Sequence, residues 1–176
     1  NDLDRAARFV YLNRFCFNGV YRTNKQGRFN VARGKGHLFI PDFETFKLFS
    51  HRLANASLHN CDFETIVNQT KAGDFLYLDP PYARQGQRDR GEYGVGAFKE
   101  IDEDRLAGAL LESEKRGVKV LLSYSPSHNL IQKLDGWQIH NLTVTRNVAG
   151  FAHARRTADE ILISNYTWSS RTISSV

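Results

Sequence analysis

The tetrapeptide Asp79-Pro80-Pro81-Tyr82, directly after the apolar run Phe75-Leu76-Tyr77-Leu78, combines a carboxylate, two rigid backbone units and an aromatic face. That combination suits the methylation of an exocyclic amine on a nucleic-acid base. The lone pair of such an amine is delocalised into the ring, so the nitrogen is a poor nucleophile until the pair is drawn out of conjugation. A carboxylate such as Asp79 and a carbonyl fixed by the ring of Pro80 each accept one N–H, turning the lone pair toward a methyl donor as charge develops. Proline has no N–H and a fixed φ, so two in succession stiffen the turn, while Tyr82 offers a ring on which a flipped-out base stacks. The alternative is an ordinary strand-ending turn, because proline terminates ladders and Asp is a good turn residue.

Strands alternating with helices must position this loop. Leu3, Ala6, Ala7, Val10, Tyr11 and Phe15 recur at helical spacing, with Asp2 as a cap. Glycines, asparagines and bases then replace that periodicity, and Thr23-Asn24-Lys25-Gln26-Gly27 reads as the tip of a hairpin or loop. Pro41-Asp42 opens a second helix carrying Phe43, Phe46, Leu48, Phe49 and Leu53. A short strand is expected over residues 57–61, then a brief helix capped by Asp62 and running to Val67. Lys71-Ala72-Gly73 turns into the run from Asp74 to Leu78, which resembles a central parallel strand.

Beyond the tetrapeptide, the polar segment 83–96 reads as a loop over the site. A helix is expected from Asp102 to near Arg116-Gly117, and a buried strand over residues 118–124. A Ser-Pro-Ser turn and a short helix to Leu134 follow, then strands over 137–146 and 160–166 separated by an irregular stretch. The pattern predicts an α/β layered fold with a mainly parallel sheet, divided into a helical and loop segment over residues 1–55 and a sheet-bearing part over 56–176.

Composition is consistent with a nucleic-acid partner. The 176 residues suit one domain-sized chain, and 41% hydrophobic content with 12% aromatic supports a core. The formal charge is +5, and between Gly19 and Ile40 stand Arg22, Lys25, Arg28, Arg33 and Lys35 with no acidic residue. No apolar stretch approaches the roughly 20 residues that span a bilayer, so no membrane partner is expected. Two cysteines without a secretory apolar region point to a reducing cytoplasm. Metal-ligand spacing of Cys and His is absent, so no metal is expected. The chain also has no methionine, even at position 1, and starts inside an amphipathic helix. A segment lacking its N-terminal part is expected to look this way.

The ordered motifs carry a more specific resemblance. Tyr11-Leu12-Asn13-Arg14-Phe15-Cys16-Phe17-Asn18-Gly19-Val20-Tyr21-Arg22, then Asn24-Lys25 and Gly27-Arg28-Phe29-Asn30-Val31, closely resemble the target-recognition block of the Dam-like DNA adenine N6-methyltransferases. Asp79 to Tyr82 follows at that family's spacing. Phe98, Asp102-Glu103-Asp104, Leu106-Ala107, Leu122-Ser123, Arg146, Arg155-Arg156 and Glu160-Ile161-Leu162 fit the same order. Ala32 stands where the family usually has proline.

The resemblance implies a Rossmann-like sheet, incomplete at its N-terminal half, with a small target-recognition subdomain. It implies methyl transfer from S-adenosylmethionine to a flipped adenine in double-stranded DNA, in a bacterial or phage-encoded, cytoplasmic protein of the restriction-modification type. Asp79, Pro80, Pro81 and Tyr82 would form the catalytic loop, and Asp62, Phe63 and Asp79 would meet the cofactor. Tyr21, Arg22, Asn24, Lys25, Arg28 and Asn30 would face DNA. A solvated basic loop is the other reading of that last set, and a helix cap with a core aromatic is the other reading of Asp62-Phe63.

The family's glycine-rich cofactor loop has no counterpart. Gly34-Lys35-Gly36 and Gly94-Val95-Gly96 are the nearest matches, and neither follows an apolar strand. Without the strands that carry that loop, the edge of the strand ending at Leu78 would be left open, which invites self-association or pairing with a complementary N-terminal fragment. Two further functions fit the tetrapeptide: RNA guanine-N2 methylation, and a non-catalytic DNA-binding remnant or half of a split enzyme.

Overall fold

The computed structural model describes residues 1–24, 26–34, 39–83, 98–146 and 156–168, with backbone alone at 144–146 and 156–158. Two compact units are present, one spanning Asn1–Asn60 and the other holding the described residues from Cys61 onward.

The first unit is built from two helices and a hairpin. Helix α1, Asp2–Phe15, is capped by Asn1, whose side chain accepts from the Asp4 amide. The expected cap, Asp2, lies instead within the first turn, where its charge suits the helix dipole. Helix α2, Phe43–Leu53, starts as expected from Asp42, whose carboxylate accepts from the Thr45 amide. Neither helix buries a residue, and Leu3, Phe43 and Phe49 are largely exposed. Phe9, Val10, Pro41, Phe46 and Phe49 line a groove of about 300 Å³ within this unit.

The chain then passes from α1 to the hairpin through a single 3-10 turn, Phe17–Gly19, with Asn18 and Gly19 both at positive φ. The Phe17 amide donates to the Ala32 carbonyl and the Gly34 amide to the Phe15 carbonyl, each at 2.8 Å. A Cβ at Gly34 would stand 2.8 Å from the Cys16 carbonyl oxygen, so that glycine serves a close backbone approach. Residues 57–61 form no strand, because nothing pairs with them.

The second unit runs α3 (Phe63–Val67), β1 (Phe75–Leu78), α4 (Glu100–Lys115), β2 (Lys119–Tyr124), α5 (His128–Lys133), β3 (Gln138–Arg146) and β4 (Arg156–Ser164). The sheet order is β1-β2-β4-β3. β1 and β2 are parallel, while β4 inserts antiparallel between β2 and β3. The described sheet is therefore mixed, not mainly parallel. The closing pair is a long antiparallel hairpin whose second strand returns to β2, and its β4 begins at Arg156, four residues before the expected start.

Helix α4 also starts earlier than Asp102. Glu100 is its first residue, and the Asp102 carboxylate reaches back to the Lys99 amide at 2.9 Å. Leu106, Ala107 and Leu110 of α4 close over Val120, Leu122, Ile161 and Ile163 of the sheet, with Leu130, Leu134 and Trp137 completing the core. Arg116 follows α4 and fastens α3 to it. Its guanidinium donates to the Val67 and Thr70 carbonyls and to the Ser113 and Thr70 hydroxyls, at 2.9 to 3.2 Å.

β1 departs from the expectation of a buried central strand. Among the described strands it pairs on one side only, as the expected open edge requires, but Phe75 and Tyr77 are 58% and 56% exposed, whereas Leu76 and Leu78 pack against the core. Its apolar run thus has one packed face and one open face.

Candidate active site and recognition hairpin

The tetrapeptide leaves the carboxyl end of β1, and the residues that support it come from β2, α4 and α5. Asp79 and Pro81 are exposed, Pro80 and Tyr82 half-buried. The Tyr82 ring meets the Tyr124 ring edge-on at 5.2 Å, and the next amide, Ala83, donates to the Tyr124 hydroxyl at 2.7 Å. That hydroxyl donates in turn to Glu103 at 3.0 Å. The other Glu103 oxygen accepts from the Ser127 hydroxyl and the Asn129 amide. Tyr124 and Glu103 are both buried. Burial is the largest influence on the Tyr124 phenol and pushes it well above the usual tyrosine range; the Ala83 amide opposes this and Glu103 reinforces it.

Asp62 and Phe63 lie at the start of α3. Asp62 Oδ1 accepts from the Glu64 amide at 3.0 Å and from Arg105 at 2.8 Å. Arg105 also holds Glu64 and Asp102, and its guanidinium lies 5.0 Å above the centre of the Phe63 ring. The Arg105 hydrogen bond, followed by that of the Glu64 amide, holds the Asp62 carboxyl below the usual aspartate value.

The sign of this shift makes a prediction. A carboxyl depressed in the folded state contributes stability above its ordinary range and loses it as pH falls through the folded value. In a carbon-detected NMR titration Asp62 should therefore protonate below the ordinary 3.8, and Arg105→Ala should move its midpoint up. An unchanged midpoint in the variant would exclude Arg105 as the cause.

In the first unit, the hairpin joins Thr23 to Phe29 through an antiparallel bridge. The Asn24 side chain accepts from the amides of Gln26 and Arg28 at 2.9 and 3.0 Å, and Gly27 takes a positive φ. Asn24 therefore shapes the hairpin tip. Arg22 donates through Nε to Asn30 Oδ1 at 3.1 Å and through NH2 to the Asn30 carbonyl at 3.3 Å. The Tyr21 ring sits between Phe9 and Phe29, with centroids 5.2 and 5.3 Å away. Arg28 and Asn30 are exposed. Lys25, the loop expected over residues 83–96 beyond Ala83, and the side chains of Arg155 and Arg156 lie outside the described residues.

Most of the chain matches known proteins. Residues 1–148 match the family model for D12 class N6 adenine-specific DNA methyltransferases. The chain belongs to this family. It is 33% identical over 170 residues to the type II methyltransferase M1.LlaDCHI of Lactococcus lactis, covering 94% of this chain and 60% of that protein. Identity to the type II methyltransferase M.MjaIII of Methanocaldococcus jannaschii is 35% over 173 residues, with the same coverage. The DNA N-6-adenine-methyltransferase of Escherichia phage P1 is 30% identical over 165 residues, 92% of this chain and 22% of that protein. The chain thus spans about 60% of the length of the first two relatives.

Membership in this family implies use of S-adenosylmethionine and a Rossmann-like sheet. Among the described residues, no glycine directly follows one of the four strands.

Sequence reasoning named the tetrapeptide but missed Glu103, Arg105, Arg116 and Tyr124. One signal could have found Glu103: it precedes Leu106, Ala107 and Leu110 by three, four and seven residues, which places it on the buried face of α4.

Proposed function

We propose that this chain carries the target-recognition and catalytic parts of a DNA adenine N6-methyltransferase. Recognition falls to residues 1–55 and catalysis to residues 56–176. The carrying observation is the Asp79-Pro80-Pro81-Tyr82 loop, set at the carboxyl end of a parallel strand and anchored at its far end on Tyr124. Family membership supports adenine in double-stranded DNA as the substrate.

Asp79 and the Pro80 carbonyl each accept an N–H of the flipped adenine, aligning the nitrogen lone pair, and Tyr82 stacks on the base. Asp79 also stabilises the positive charge that grows on the nitrogen. S-adenosylmethionine supplies an electrophilic methyl group when bound, with Asp62 and Phe63 at its adenine end. In the first unit, Tyr21, Arg22, Asn24, Lys25, Arg28 and Asn30 form the DNA-facing surface. Arg22 braces Asn30 while Arg28 presents its charge to phosphate or a guanine edge.

Labelled S-adenosylmethionine incubated with the chain and adenine-containing duplex, then nucleoside analysis, tests this reading. Label on adenine N6 is expected. Label on guanine in RNA, with none in DNA, would favour the RNA enzyme instead. No cofactor binding by calorimetry would show that this chain does not work alone.

Duplex binding gives a second check. Arg28→Ala and Arg22→Ala should each weaken it, and a residue that reads a base should lose about 1–3 kcal/mol of discrimination at one position. A phosphate contact should instead lower the salt slope by about 1 with no sequence preference. Unaltered affinity and salt slope in both variants would remove the hairpin from the interface.

A further inference from the structure

Tyr124 and Glu103 form a buried two-residue support beneath the tetrapeptide. The Tyr124 hydroxyl has one hydrogen and two lone pairs. Glu103 takes the hydrogen at 3.0 Å, which leaves the oxygen oriented to accept the Ala83 amide at 2.7 Å. Glu103 is itself fixed, since its second oxygen accepts from Ser127 at 3.1 Å and Asn129 at 3.2 Å. Ala83 immediately follows Tyr82, and the Tyr82 ring already rests against Tyr124 at 5.2 Å. The last residue of the tetrapeptide is therefore held twice, by its ring and by the next amide. A second aromatic, Phe98, packs on the same phenol ring at 6.4 Å.

We infer that Tyr124 and Glu103 are positioning residues that set the angle of the Asp79–Tyr82 loop, with Glu103 acting through the Tyr124 hydroxyl. The pair ties the loop to β2 and α4, so the loop inherits the rigidity of the core. This inference rests on the proposed function for its catalytic consequence, but not for its structural one.

Two readouts separate those levels. In Tyr124→Phe the ring contacts remain and only the hydroxyl is lost, so the fold persists while the Ala83 amide loses its acceptor. Hydrogen exchange at that amide should accelerate about ten-fold, the effect of removing one ordinary hydrogen bond, while amides of β2 and α4 stay protected. Glu103→Gln keeps an acceptor for the phenol and should retain most of the protection, whereas Glu103→Leu leaves the hydroxyl unoriented and should give exchange between those of Glu103→Gln and Tyr124→Phe.

Methyl transfer should then fall by about 10- to 100-fold in kcat in Tyr124→Phe with KM for duplex DNA unchanged, as expected when a reacting group is misplaced rather than removed. Glu103→Gln should keep the larger part of the wild-type kcat, and Glu103→Leu less of it. Unchanged Ala83 exchange in Tyr124→Phe would overturn the inference, as would faster exchange with an unaltered kcat. A wild-type chain that transfers no methyl while Ala83 exchange still depends on Tyr124 would sink the proposed function and leave the loop support intact.

Discussion

Asp79→Ala is expected to abolish methyl transfer while leaving duplex binding largely in place. The carboxylate lies at the exposed end of β1 and is assigned to the one interaction that strengthens as charge grows on the amine nitrogen. Losing a preorganised group of this kind costs about 10²–10³ in kcat. The ground-state duplex gains little from Asp79, because an anion near phosphate does not favour binding. Rapid-quench measurement of transfer, alongside fluorescence anisotropy for the duplex, separates the two quantities. Asp79→Asn sharpens the test, since it keeps an acceptor oxygen and the size of the side chain but lacks the charge. A variant that loses DNA affinity in step with its rate would refute the assigned role.

Arg116→Ala should lower the stability of the sheet-bearing unit by on the order of 2–3 kcal/mol, the range for hydrogen bonds to a charged group. Arg116 reaches two carbonyls and one hydroxyl 46 to 49 residues back in sequence, as well as the Ser113 hydroxyl three residues away. Its removal takes the Arg116 donor from the Thr70 carbonyl just ahead of the turn into β1, while the Val67 carbonyl keeps the Thr70 amide and hydroxyl. Lysine is not equivalent. A single ammonium cannot reproduce the planar fork that addresses both carbonyls, so Arg116→Lys should recover only part of the loss. Urea denaturation read by tryptophan fluorescence measures both variants, and full recovery by lysine would show that charge alone matters.

The geometry also separates two kinds of residue. The tetrapeptide, the hairpin tip and the helix caps at Asp42 and Asp62 were legible in the sequence because their physics is local. An Asn or Asp oxygen satisfies amides two to four residues away, as Asn24, Asp42 and Asp62 do. Glu103, Arg105, Arg116 and Tyr124 act on partners 21 to 49 residues distant as well as on near ones. In sequence, Glu103 sits among Glu100, Asp102 and Asp104 and looks like another solvated acid. Its burial against Tyr124 depends on how α4 lies against β2.

Strand pairing shows the same division. Residues 57–61 alternate plausibly but find no ladder, while β4 gains four residues at its start because β3 extends alongside it. A strand needs a partner, and partners are chosen by topology. The apolar run ending at Leu78 was correctly seen as a strand, yet its exposed face at Phe75 and Tyr77 was invisible until the order β1-β2-β4-β3 was known.

The sequence by itself therefore determined the family, the tetrapeptide at the end of an apolar strand and the local turns that present charged and aromatic side chains, because each rests on neighbouring residues in a fixed order. Only the tertiary structure decided what holds the tetrapeptide in place. The Tyr124 phenol reaches a buried carboxylate at 3.0 Å and a loop amide at 2.7 Å only after a helix and two strands have packed, and that packing is a property of the whole unit.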